Sequence, residues 1–155
     1  MSRSQPIKKI LCPIDFSKYS INTINEAVEL ARLMGAELLI LNVVNRRLFD
    51  DLERYQGRVE VFDGVVEKAY DTMQEQNIER LKKILSEVDI KGLKYSSIVS
   101  VGIPWEKILE KSETESVDLI IMGARGRGSL VRKLRFGSSA EKIFRRAKCR
   151  VLFVR

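Results

Sequence analysis

Five short apolar runs, separated by stretches with helical periodicity, constrain this chain more than any other feature. Lys8–Asp15 (KKILCPID), Ala36–Val44 (AELLILNVV), Lys94–Val101 (KYSSIVSV), Val117–Met122 (VDLIIM) and Arg150–Arg155 (RVLFVR) have the length and branched apolar content of buried strands. Between the first two, Ile21, Ile24, Val28 and Ala31 recur at helical spacing, and Gly35 closes the helix. Val66, Tyr70, Met73, Asn77, Leu81, Ile84 and Val88 mark one face of a long second helix. Pro104 opens a third, with Trp105, Ile108 and Leu109 facing inward. Ser138–Ala147 forms a fourth, with Ile143, Phe144 and Ala147 toward the core. Strictly alternating strands and helices call for crossovers and parallel pairing. The chain of 155 residues is enough for one such domain. The expectation is a single-domain, doubly wound, five-stranded parallel sheet with helices on both faces. In the order 3-2-1-4-5, strands one and four are neighbours where the order reverses, and ligands bind there beyond the carboxyl ends of the strands.

Two features fall at that point. Asp15 ends the first strand, and the fourth runs into GARGRGSLVRKLRFGSS. Gly123, Gly126 and Gly128 are interleaved with Arg125 and Arg127, and Gly137-Ser138-Ser139 makes a second corner. Glycines let backbone N–H groups approach an anion, and a helix N-terminus adds free donors and a favourable dipole. A phosphate cradle needs these parts. Neither GxxxxGK[ST] nor GxGxxG is present: Val131 stands where the third glycine of the latter would be. An exposed loop, with glycines for turning and arginines for solvation, matches the same residues. Ser138 and Glu141 have capping-box spacing, and Ser17 is placed to cap the first helix.

Composition removes several classes of chemistry. With no histidine, Ser-His-Asp and Cys-His catalysis and histidine metal sites are all excluded. The two cysteines, Cys12 and Cys149, lie in apolar runs and read as reduced core residues. No stretch is long enough to span a membrane, and the N-terminal residues lack a signal-peptide core, which favours the cytoplasm. The net charge of +7 is unevenly spread: Gly123–Arg155 holds eleven Lys/Arg and one acid, a charge of +10, against −3 for residues 1–122. Such a field attracts polyanions, nucleotide phosphates or nucleic acid. Asn45–Gly64 is the least patterned stretch, long for a plain connection; a turn is expected at Tyr55–Arg58.

Gly-x-x-Gly, a spacer, then Gly-Ser resembles the universal stress protein signature, G-x2-G-x9-G-[ST], of the nucleotide-binding branch. The resemblance spans the chain, through CPIDFSKYS, LNVV and VSVGIPWEKI as well as the loop. One departure stands out: Arg127–Phe136 makes a spacer of ten residues. The resemblance implies a Rossmann-like, adenine nucleotide alpha hydrolase-like fold that holds ATP. It implies Asp15 at the ribose, with Pro13 and Ile14 near the base and Val43 packed on adenine. The phosphate positions would be Gly123, Ala124, Arg125, Gly126, Arg127, Gly137, Ser138 and Ser139. Mg²⁺ would be held through the phosphates and water. It also implies a homodimer paired through Arg150–Arg155, an apolar edge strand that Arg150 and Arg155 could equally guard.

Three functions follow. The first is an ATP-dependent stress-response switch; with no general base evident for the γ-phosphate, hydrolysis should be slow or need a partner. The second is polyanion or nucleic-acid binding by the basic C-terminal third, against which stands the lack of an aromatic-basic platform. The third is a scaffold without nucleotide, which the longer spacer would favour.

Overall fold

The computed structural model describes residues 5–49, 64–125 and 137–155. In chain order these form β1 (Lys9–Ile14), α1 (Ser20–Met34), β2 (Glu37–Asn45), a 3-10 turn over Arg46–Phe49, α2 (Val65–Ser86), β3 (Tyr95–Gly102), α3 (Pro104–Thr114), β4 (Leu119–Gly123), α4 (Ser138–Arg146) and β5 (Arg150–Val154). The strands make one parallel sheet in the order β3-β2-β1-β4-β5, as expected.

The burial pattern explains why the strands read as they do. β1, β2 and β4 are central and covered on both faces, so they are apolar almost without interruption. The edge strands β3 and β5 are half-exposed and carry polar residues. Successive side chains point to opposite faces. Ile10, Cys12, Leu38 and Ile40 therefore join one core with Ile24, Leu81 and Leu85 of α1 and α2. Leu11, Leu39, Leu41 and Ile120 join the other with Ile108 and Ile143 of α3 and α4.

The sheet parts in the middle. β1 and β4 are in register only at Ile10↔Leu119 and Leu11↔Ile120. Beyond these, β1 stays with β2 as far as Ile14↔Asn42, and β4 stays with β5 as far as Gly123↔Val154. The two halves of the sheet separate toward their carboxyl ends, which is where a doubly wound sheet makes room for a ligand.

Local details depart from the sequence reading. α1 starts at Ser20 with Tyr19 as its N-cap, two residues later than a Ser17 cap would put it. Ser17 instead makes the preceding turn: its carbonyl accepts the Ser20 N–H at 3.0 Å and its Oγ the Tyr19 N–H at 3.3 Å. The capping box at Ser138 is not formed. Gly137 is the N-cap, so Ser138 lies one position too far into the helix, and Glu141 pairs with Arg145 at 3.0 Å. Phe144 is 70% exposed because Ile143, fully buried, holds the core position one residue earlier. Cys12 is buried, its thiol pushed up to about 12 by desolvation, whereas Cys149 is only half-buried. The turn expected at Tyr55–Arg58 and the spacer Arg127–Phe136 lie outside the described residues. Among the described residues no helix is long and apolar enough to cross a membrane.

Candidate nucleotide site

A cavity of about 540 Å³ opens where the halves of the sheet part. It is lined by the ends of β1, β2 and β4, the starts of α3 and α4, the β1–α1 turn and the middle of α2. Because side chains of β2 alternate, the cavity has two unlike walls. Pro13, Leu41, Val43, Pro104, Ile108 and Met122 form an apolar wall on the α3/α4 face, continuous with the core there. Phe16, Asn42, Met73, Gln76, Asn77 and Arg80 form a more polar wall on the α1/α2 face.

The third part of the lining is suited to an anion. Gly123, Arg125, Gly137, Ser138 and Ser139 come together there. Gly123 ends β4, and a Cβ on it would stand 3.0 Å from the Arg125 carbonyl oxygen and 3.6 Å from Thr23 Oγ1. A side chain here would have to push the Arg125 carbonyl back by a few tenths of an ångström, so glycine suits the close approach. α4 begins at Ser138, so the N–H groups of its first turn point out of the helix without intrahelical acceptors. Ala124 is buried and does not line the cavity. Its N–H donates to the Val154 carbonyl at 2.8 Å, and its own carbonyl accepts the Gly137 N–H at 2.9 Å. Ala124 thus ties the two corners of the loop together whatever the length of the spacer. Gly126 and Arg127 lie outside the described residues.

Asp15 is the one carboxylate among the described lining residues. Its Oδ1 accepts the Ser17 N–H at 3.0 Å and the Ser20 hydroxyl at 3.4 Å, which orients the group. The next residue, Phe16, has φ 59°, a left-handed conformation costly for a bulky side chain. That kink turns the chain out of β1 immediately after Asp15. The Arg80 guanidinium lies 4.4 Å from the centre of the Phe16 ring and covers it.

Of the residues expected at a nucleotide site, Pro13, Ile14, Asp15, Val43, Gly123, Arg125, Gly137, Ser138 and Ser139 share this one cavity. Sequence reasoning missed Met122, Asn42, Phe16 and the α2 residues. Asn42 had a signal, as the only polar side chain inside LLILNVV, and so had Asn77, an amide on an apolar helical face. Nothing in the sequence brings α2 to the Phe16 turn that follows β1.

The parts fit an adenine nucleotide: an apolar wall for a flat base, a carboxylate acceptor for ribose hydroxyls, and a glycine corner with a helix N-terminus and an arginine for phosphates. Among the described residues no group of histidine, cysteine, aspartate and glutamate could hold a metal ion. A divalent cation arriving with the nucleotide would be held by phosphate oxygens and water.

An open, doubly wound α/β sheet with a crevice at its switch point defines the class: a Rossmann-like protein built to hold a ligand across the strand ends. The comparisons with known proteins give the family. The model of the universal stress protein family matches residues 6–155. Universal stress protein MJ0577 of Methanocaldococcus jannaschii is 31% identical over 157 residues, covering 96% of this chain and 94% of that one. The solved structure of MJ0577 matches with a TM-score of 0.80 at 27% identity, covering 97% of this chain and 96% of that one. The fold is also that of a universal stress protein in complex with cAMP, at a TM-score of 0.59 and 19% identity over 97% of this chain and 98% of that one. It is shared as well with the universal stress protein of Archaeoglobus fulgidus in complex with dAMP, at a TM-score of 0.55 and 17% identity over 97% of this chain and 100% of that one. The chain belongs to the universal stress protein family.

Proposed function

We propose that this chain binds ATP, with Mg²⁺ carried on the phosphates, and serves as a cytoplasmic, nucleotide-dependent switch in a stress response. One observation carries the reading: the parting of β1 from β4 puts Asp15 and Val43 into the same cavity as Gly123, Arg125 and the first turn of α4. Base wall, ribose acceptor and anion corner are then contiguous. Two relatives of the same fold whose structures hold cAMP and dAMP support it. Hydrolysis is slow or partner-dependent in this reading. Asp15, held by two local hydrogen bonds on Oδ1, is the one carboxylate among the described lining residues and is assigned to the ribose.

Calorimetric titration of nucleotide-free protein with Mg-ATP tests the proposal. Saturable binding at one nucleotide per chain is expected. Gly123→Val, which forces a branched side chain against the Arg125 carbonyl, should weaken it beyond detection while the circular dichroism spectrum stays native. ATP affinity in that variant equal to wild type would refute the site.

The same reading pairs two copies through β5. That strand bonds to β4 on one side only, and Leu152 is 39% exposed. Light scattering should give twice the chain mass; a single-chain mass at all concentrations would remove the dimer.

A further inference from the structure

Asn42 is a polar side chain, 2% exposed, in a strand that is otherwise apolar from Leu38 to Val44. Its Nδ2 donates to the Ile14 carbonyl at 2.9 Å. Its Oδ1 accepts from Asn77 Nδ2 at 2.8 Å. These two bonds have a direction that the chemistry fixes. A carbonyl oxygen only accepts, so Asn42 must turn its NH₂ toward Ile14. Asn42 then shows only its oxygen to α2, so Asn77 must turn its NH₂ toward Asn42. Asn77 Oδ1 is left as the end of the relay, with no hydrogen bond among the described residues, on a side chain that lines the cavity. The nearby Arg80 guanidinium lies over the Phe16 ring.

We infer that the Ile14–Asn42–Asn77 relay makes Asn77 a specificity-determining residue: its amide oxygen is held as an acceptor for an O–H or N–H donor of the bound nucleoside. This rests on the nucleotide reading above and deepens it. An asparagine free to turn over would offer a donor or an acceptor equally and would select nothing. The relay removes that freedom and rejects a ligand that brings an acceptor, or nothing, to this point. Two groups of ATP supply such a donor, a ribose hydroxyl and the exocyclic amine of adenine. Asn77 and Asp15 both line the cavity, Asn77 on the same wall as Phe16, the neighbour of Asp15.

The test measures dissociation constants of wild type, Asn77→Leu and Glu75→Gln for ATP, 2′-deoxy-ATP, 3′-deoxy-ATP and purine riboside triphosphate, which lacks the amine. Wild type should bind ATP about tenfold more tightly than the analogue missing the recognised donor. In Asn77→Leu that ratio should collapse by the same factor, through loss of ATP affinity and with the analogue little changed. A fall for a deoxy analogue assigns the donor to the ribose; a fall for purine riboside assigns it to the base. Glu75→Gln, exposed on the same helix and not among the cavity-lining residues, should keep the wild-type ratios. Asn77→Ala serves as the second variant should leucine prevent folding. Unchanged ratios in the Asn77 variants, or no discrimination in wild type, overturn the relay and leave the nucleotide reading standing. A wild type that binds none of the four overturns both.

Discussion

The two walls of the cavity are made by the same strand and differ in kind. Leu41 and Val43 point toward α3 and α4 and belong to a hydrophobic core that would exist without any ligand. Asn42, between them, points toward α1 and α2 and enters a hydrogen-bonded chain that has no role in apolar packing. One wall borrows its shape from the core. The other is polar where a core would be simpler to build, because a buried amide must find partners for every group it brings. The lesson is that ligand selectivity and fold stability can be separated on the polar wall and are fused on the apolar one.

Substitutions can break that contrast. The largest effect is expected on the apolar wall. Leu41 is 1% exposed, so Leu41→Ala should cost about 2–5 kcal/mol of stability and weaken ATP binding as well. A denaturant titration showing less than about 1 kcal/mol would mean the wall can collapse around the gap and is not core in the ordinary sense. Next comes Asn42→Ala, which strands the Ile14 carbonyl and the Asn77 amide and should cost about 1–3 kcal/mol. It should also loosen the turn that presents Asp15, so its affinity loss should be greater for ATP than for its deoxy analogues. Equal losses for all would make Asn42 a purely structural residue. The smallest effect is expected of Arg80→Ala, which removes an exposed cation from the Phe16 ring and should cost about 0.5–1 kcal/mol. A loss of several kcal/mol, read from the same titration, would show that Arg80 is what keeps Phe16 in its left-handed conformation.

Much of the site is legible in the amino-acid sequence. Gly123, Gly137 and the serines mark a corner suited to an anion because backbone access to an anion is eased by glycine and a helix start, and both are written in one continuous stretch. Asp15 is legible because it ends a strand in a chain of alternating elements. The helix caps are less so. Ser17 and Ser138 both have capping chemistry, yet neither is an N-cap, since a shift of one or two residues in a helix start leaves the composition unchanged. Phe144 is misplaced by pattern for a similar reason: adjacent apolar residues on a helix differ by about 100° in direction, and only packing decides which one faces inward.

The amino-acid sequence by itself determined the alternation of strands and helices, and with it the doubly wound sheet, since a buried parallel strand and an amphipathic helix each leave a periodic mark on the chain. It also determined that the anion corner follows the fourth strand. Tertiary structure alone decided that β1 and β4 part after two residue pairs, that α2 sets Arg80 on the Phe16 ring just past β1, and that Asn77 meets Asn42 across 35 positions. Those facts depend on how far apart strands and helices settle once both cores are filled, a distance that no local pattern encodes.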